Sequence, residues 1–280
     1  MCDLLVALPS ATGGSTIFAK NSDRPPDEHQ VFTVVESRVD DVTRCTYIEV
    51  EAHPEPTIRC VMSRPEWCWG AEHGVNASGV AIGNATIYTT LDPRPFPDAL
   101  IGMDLVRLAL ERCGTASDAV ALITVLIERY GQGGSGHDPR VGRRPYWSSF
   151  LVADPFDAWV LETSGTEWVA EQVVDTRAIS NRTTIVGFDG HPRQPVATLV
   201  DPRLDASRAV LARRPVEVEA VTEHLSSHSA GSDGWHVCMH VDGVEATTAS
   251  IVASLPVDAR PEVLVADGSP CCTPYYRFDW

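Results

Sequence analysis

Hydrophobic and polar positions follow a strand-like period at the start of the chain, and the period changes only near residue 98. Residues 2–8 are an apolar run rich in Leu and Val. Turn-forming residues fill Ser10 to Gly14, and Ser15 to Lys20 is strand-like again, which predicts a hairpin. Further β-like runs cover 31–36, 44–50, 57–63 and 79–84. Residues 98–112 carry apolar positions at helical spacing. Thr115 with Asp118 resembles a capping box that opens a second helix. Val120, Ile123, Leu126 and Ile127 share a face of that helix, and Gly131 is its stop. Strand patterns return at 149–153, 158–163, 167–174 and 177–181. Residues 205–213 and 216–228 read as helical, and the last fifty residues are mostly strand-like. No repeat, low-complexity tract or linker interrupts this order. It predicts one mixed α+β domain over residues 1–280, with helices packed on sheets.

Composition narrows the classes. The 280 residues are 44% hydrophobic and 21% charged, as in ordinary globular chains. A net charge of −16 argues against a nucleic-acid partner, which needs clustered Lys and Arg. No apolar run approaches the ~18 residues of a membrane span. The N-terminus has no basic segment ahead of its apolar run, so it is not read as a signal peptide. The expectation is a cytoplasmic protein whose eight cysteines are thiols. No two cysteines have the CxxC spacing of a zinc knuckle or a thioredoxin motif.

Cys2 changes the picture. An initiator Met before a small residue is normally trimmed, which leaves Cys2 with both a thiol and a free α-amine. The thiol is a good nucleophile. An α-amine with a pKa near ~8 can take its proton and later return it to a leaving amine. The same residue also suits the buried start of a strand. The predicted hairpin brings Lys20, Asn21, Ser22, Asp23 and Arg24 close to Cys2. There an acid can orient the amine and a cation can lower the thiol pKa. Asn21 to Pro26 also reads as a simple turn cluster.

Several stretches carry a family resemblance in one order along the chain. They are Cys2-Asp3 with Val6-Ala7-Leu8-Pro9-Ser10, Ile17 to Arg24, Ser63-Arg64-Pro65, and Trp69-Gly70-Ala71-Glu72 running on to Gly83-Asn84. Leu100 to Leu108, Tyr130 to Gly134, Ser149 to Asp154, Ala158 to Thr163, Ile179-Ser180-Asn181, Val237 to His240 and Thr247 to Ser250 follow. Together they resemble the secernin and cysteine dipeptidase family of N-terminal nucleophile hydrolases, relatives of penicillin V acylases and bile salt hydrolases.

The resemblance implies a four-layer αββα sandwich and amide hydrolysis through a thioester acyl-enzyme, with a dipeptide or N-acyl amino compound as substrate. It assigns the nucleophile to Cys2, the acid holding the α-amine to Asp23, the oxyanion-hole amide to Asn84 and a second active-site amide to Asn181. Lys20 falls where the bile salt hydrolases have Arg. Arg208 matches a late active-site Arg, and Asn21, Trp69 and Glu72 are candidate substrate contacts. The family usually has Glu after Gly83-Asn84, but this chain has Ala85, which points to a specialised substrate. The chain is also short for the family. An acyl or aminoacyl transferase using the same acyl-enzyme, or a scaffold without turnover, are the alternatives. No cofactor is implied, and a homo-oligomer is compatible with the family.

Other patterns read more plainly. His236, Cys238 and His240 would share a face of one strand but fall short of a four-ligand set, so no metal is expected. His224 and His228 are spaced i, i+4 without the Glu of a zinc protease. The loop from Gly131 to Gly136 lacks a phosphate-binding ending. Trp67 and Trp69 suit either a pocket or the core. Arg64 and Glu72 are a candidate structural pair.

Overall fold

The apolar run and turn residues at the N-terminus fold as the predicted hairpin. In the computed structural model, which describes residues 1–188 and 197–280, β1 (Cys2–Ala7), the helical turn α1 (Pro9–Thr12) and β2 (Thr16–Arg24) form the hairpin. The chain continues through β3 (Gln30–Val35), β4 (Val42–Arg44), β5 (Glu49–Glu51), β6 (Cys60–Pro65), β7 (His73–Asn76) and β8 (Ala81–Ile87). Two helices follow, α2 (Gly102–Arg112) and α3 (Ala116–Tyr130). Four strands come next: β9 (Trp147–Ala153), β10 (Ala158–Ser164), β11 (Glu167–Gln172) and β12 (Thr176–Ile179). The last elements are α4 (Ala197–Leu211), α5 (Val218–Leu225), β13 (His240–Val241), β14 (Glu245–Leu255), β15 (Glu262–Ala266) and β16 (Tyr276–Arg277).

Local chemistry explains the helix ends. The Thr115 side chain accepts a hydrogen bond from the Asp118 amide and so caps α3. Gly131 ends that helix at φ 73°, a conformation glycine adopts without steric cost. The stretch 44–50 is not one strand. Cys45 donates its amide to the Ile48 carbonyl at 2.8 Å, so the chain turns and β4 pairs with β5. The first helix begins at Gly102, four residues later than its apolar spacing suggests.

All the strand pairs are antiparallel. One sheet has the order β12-β1-β2-β14-β15-β16, with β13 on β14; the other runs β11-β10-β9-β8-β7-β6-β3. Three apolar cores separate four layers. Leu4, Val6 and Phe18 of the first sheet meet Val61, Val75, Leu151 and Val160 of the second. Met62, Ile82 and Phe150 pack under α2 and α3. Leu5, Ala7, Ile17 and Ala19 pack under α4 and α5. This is the αββα sandwich. Among the described residues, no helix is long and apolar enough to cross a membrane.

Candidate active site

Strand alternation decides which side chains reach the site. Cys2 pairs with Ser22, Asp3 with Asn21 and Leu4 with Lys20. Successive side chains point to opposite faces. Cys2 and Lys20 therefore face the second sheet, and Asp3, Asn21 and Asp23 face the α4/α5 layer.

The N-terminus lies between these groups. The Met1 α-ammonium donates to Glu245 Oε2 at 3.1 Å and to the Asp23 carbonyl at 3.1 Å. The Cys2 amide donates to Asn181 Oδ1 at 2.9 Å. Asn181 Nδ2 in turn donates to the Thr86 carbonyl at 3.0 Å, which fixes the amide's orientation. The fully buried Arg203 donates to Asp3 Oδ2 at 2.5 Å and to Asn181 Oδ1 at 3.1 Å. Its Nη1 is 3.9 Å from Asp23 Oδ2. Thr247 donates to the other Asp23 oxygen at 2.7 Å.

On the opposite side of β1, Lys20 Nζ donates to the Glu72 carbonyl at 2.7 Å and to Glu72 Oε2 at 2.8 Å. Arg24 donates to Glu72 Oε1 at 2.7 Å, so both carboxylate oxygens are paired. Asn84 lies against this cluster. With its amide nitrogen towards Glu72, it donates to Oε2 at 3.2 Å and to the carbonyl at 3.1 Å. Gly83 makes the approach possible, because a Cβ there would lie 2.8 Å from Leu4 Cδ2 and 2.9 Å from Lys20 Cδ. Met1, Cys2, Asp23, Glu72, Asn84 and Glu245 border one cavity of about 250 Å³. Its outer wall includes Tyr88, His137, Arg144 and Tyr146.

Burial raises the Cys2 thiol pKa, and Lys20 opposes that rise. Burial would lower the pKa of the Met1 α-ammonium, but Glu245, Cys2 and Asp23 outweigh it and raise the value. The Asp23 carboxyl is lifted to about 7, mainly by burial and then by Asp3; the α-ammonium, Arg203 and Thr247 pull the other way. Glu72 is buried too, yet Lys20 and Arg24 hold it down at about 2. His137 is lowered to about 3 by burial and by Arg24, so it is a neutral imidazole near neutral pH.

Cys2, Asp23, Glu72 and Asn84 share the cavity, Lys20 joins them through Glu72, and Asn181 joins through the Cys2 amide. Arg208 does not join them. Its side chain is half exposed and pairs with Asp205 at 3.1 Å. Arg203, five residues earlier on α4, holds the buried position, and five residues turn a helix by about 140°. Asn21 also points away, donating to the Leu225 and Val237 carbonyls at 2.8 Å each. Trp69 lies outside the cavity, with the Arg107 guanidinium 4.1 Å from its ring centroid. Arg64 binds the carbonyls of Pro65, Glu66 and Cys68 instead of Glu72. Arg203, Asp3, Arg24, Arg144 and Glu245 went unassigned in the sequence. Arg24 carried a signal there, at the end of the hairpin beside Cys2; Arg203 precedes the helix predicted at 205–213 and shares a face of α4 with Val200, Leu204 and Ser207.

An αββα sandwich with this cluster at the end of its first strand has the architecture of the N-terminal nucleophile hydrolases. The chain matches the model of peptidase family C69 over residues 2–198 and belongs to that family. Dipeptidase A of Lactobacillus helveticus is 26% identical over 225 residues, which cover 71% of this chain and 44% of that protein. The chain thus spans less than half the length of this relative. Penicillin V acylase from Agrobacterium tumefaciens superposes with a TM-score of 0.59 at 12% identity, over 99% of this chain and 86% of that one. A conjugated bile acid hydrolase mutant from Clostridium perfringens gives 0.57 at 8% identity, covering 100% and 97%. A Caenorhabditis elegans N-acylethanolamine-hydrolyzing acid amidase ortholog gives 0.53 at 13%, covering 90% and 92%. At these identities the superpositions speak for the fold alone.

Proposed function

We propose that this chain, once Met1 is removed, hydrolyses a small amide or peptide bond with Cys2 as nucleophile. The observation that carries this reading is the Cys2 nitrogen. It already lies 2.9 Å from Asn181 Oδ1, an oxygen that also accepts from the buried Arg203 at 3.1 Å. Trimming converts that nitrogen from a peptide N–H into an α-amine.

The amine takes the proton of the Cys2 thiol, and Sγ attacks the substrate carbonyl carbon. Asn84, once its amide nitrogen turns from Glu72 into the cavity, supplies a donor to the oxyanion; one such donor is worth about 3–4 kcal/mol. The C–N bond breaks, and the leaving nitrogen takes the proton back from the α-ammonium. Water then hydrolyses the thioester. Asp23 and Asn181 orient the amine, and Arg203 balances the charge of Asp3 behind them. Lys20 favours the thiolate.

The cavity supports a substrate with two charged ends. Glu245 holds an ammonium group at 3.1 Å in the Met1-bearing chain, and trimming frees it to hold the amine of a substrate. It can fill the role that the family gives to the Glu missing at Ala85. Arg144 reaches the mouth and suits a carboxylate. Dipeptides are thus the favoured substrate class over N-acyl compounds without an amine. The test is a panel of dipeptides and N-acetylated counterparts, run with mass detection of acyl-Cys2. Faster turnover of the free dipeptides and an acyl mass on the N-terminal peptide are expected. Equal rates for blocked and free substrates overturn the substrate class. Turnover without any dependence on Cys2 overturns the mechanism.

A further inference from the structure

Four donors converge outside the catalytic cavity. His228 follows α5, Cys238 precedes β13, His240 opens it, and Cys271 lies in the loop before β16. One ligand atom from each falls within 4.8 Å of all the others. His240 Nε2 is 3.6 Å from Cys238 Sγ and 3.1 Å from Cys271 Sγ. The His228 and His240 rings meet edge to face at 5.0 Å. We propose that His228, Cys238, His240 and Cys271 form a structural zinc site.

The donor set fits this ion. Two thiolates and two imidazoles are a closed tetrahedral set for zinc. Bonds of about 2.0 Å to nitrogen and 2.3 Å to sulfur place neighbouring ligand atoms about 3.3–3.8 Å apart. The observed spacings need only small side-chain rotations, and three of the four side chains are exposed. Binding releases two thiol protons to solvent. The two thiolates then cancel the ion's charge, so the site gains no net charge.

The spacing of the sequence pointed elsewhere. His236 is outside the set, with Nδ1 2.9 Å from the Ala230 carbonyl, because residues 236–238 are not strand and do not share one face. His224, the helical neighbour of His228, pairs with Ser207 at 2.9 Å. The fourth ligand comes from a loop more than thirty positions further on.

The site would clamp the loop that backs the catalytic segment. Val237, next to Cys238, accepts from Asn21 at 2.8 Å. Met239 donates to Thr247 Oγ1 at 2.8 Å, and Thr247 donates to Asp23. Ser269 donates to the Thr247 carbonyl at 2.8 Å, so the Cys271 loop meets the same residue. Metal binding thus ties two loops on either side of Thr247.

The test is the zinc content of the untagged full chain, purified under reducing conditions, with cobalt substitution as a second readout. Stoichiometric zinc and the intense visible bands of tetrahedral thiolate-bound cobalt are expected. Cys271→Ser and His240→Ala should each lose at least nine-tenths of the metal, while His236→Ala and Cys272→Ser keep it. Thermal unfolding of each variant checks that it is folded. Two results overturn the proposal: little zinc in the unsubstituted chain, or zinc content unchanged by Cys271→Ser.

Discussion

The backbone nitrogen of Cys2 and the side-chain oxygen of Asn181 are joined by a 2.9 Å hydrogen bond across the β1/β12 edge of the first sheet. Arg203 shares that oxygen at 3.1 Å, and Thr86 holds the other end of the amide. The bond anchors the first strand next to the cavity.

Arg203 and Arg208 should separate cleanly. Arg203→Ala leaves Asp3 buried without its partner, and breaking such a pair costs about 3–5 kcal/mol. Arg208→Ala removes an exposed i, i+3 pair and should change stability by less than about 1 kcal/mol. Urea unfolding of both variants checks the contrast. Comparable losses would remove Arg203 from its central place.

Glu72 sets an acid limit to stability. Its folded pKa, about 2, is below the ordinary 4.5, because Lys20 and Arg24 stabilise the carboxylate more than burial penalises it. The folded chain therefore binds fewer protons than the unfolded chain between these values. The contribution is fully present above pH 4.5 and is lost as pH falls towards 2. Glu72→Gln should remove this part of the acid slope. The check is unfolding free energy against pH for both proteins, and parallel curves contradict the assignment.

Glu245→Gln should act on substrate and leave the fold intact. Losing a charged hydrogen bond of about 1.5–3 kcal/mol raises KM about tenfold to a hundredfold for free dipeptides. N-acetylated analogues should show no such change. Arg144→Met should do the same for substrates with a carboxylate, compared with their amides. Steady-state kinetics on the matched pairs decides both.

Gly83→Ala tests the contact between the sheets. The new methyl meets Leu4 and Lys20 at 2.8 and 2.9 Å. Overpacking of this kind costs about 1–3 kcal/mol. It should also displace Lys20 from Glu72, so turnover should fall along with the melting temperature. A variant as stable as the parent would mean that the sheets tolerate a wider gap.

The hairpin, both central helices and most strands were legible, because period and caps are local signals. Thr115 and Gly131 marked the ends of α3 unambiguously. The strand His73–Asn76 was not legible: it is four residues long, buried throughout and without alternation. The 44–50 stretch misled because a turn within it has no Gly or Pro. In the site, the residues on the hairpin were placed by pairing register. Asn21 was misplaced by one position of alternation, and the late Arg by about 140° around α4, whose apolar stripe is interrupted by Pro202. Glu245 and Arg144 are brought in by distant loops and strands, and no spacing along the chain announces them.

The most direct test of the central claim is an intact mass of the purified chain, followed by alkylation at limiting reagent and peptide mapping. The account predicts that Met1 is absent and that Cys2 is labelled ahead of the other seven cysteines, despite its burial. Retention of Met1, or labelling of Cys2 no faster than the exposed Cys271 and Cys272, would contradict an N-terminal nucleophile.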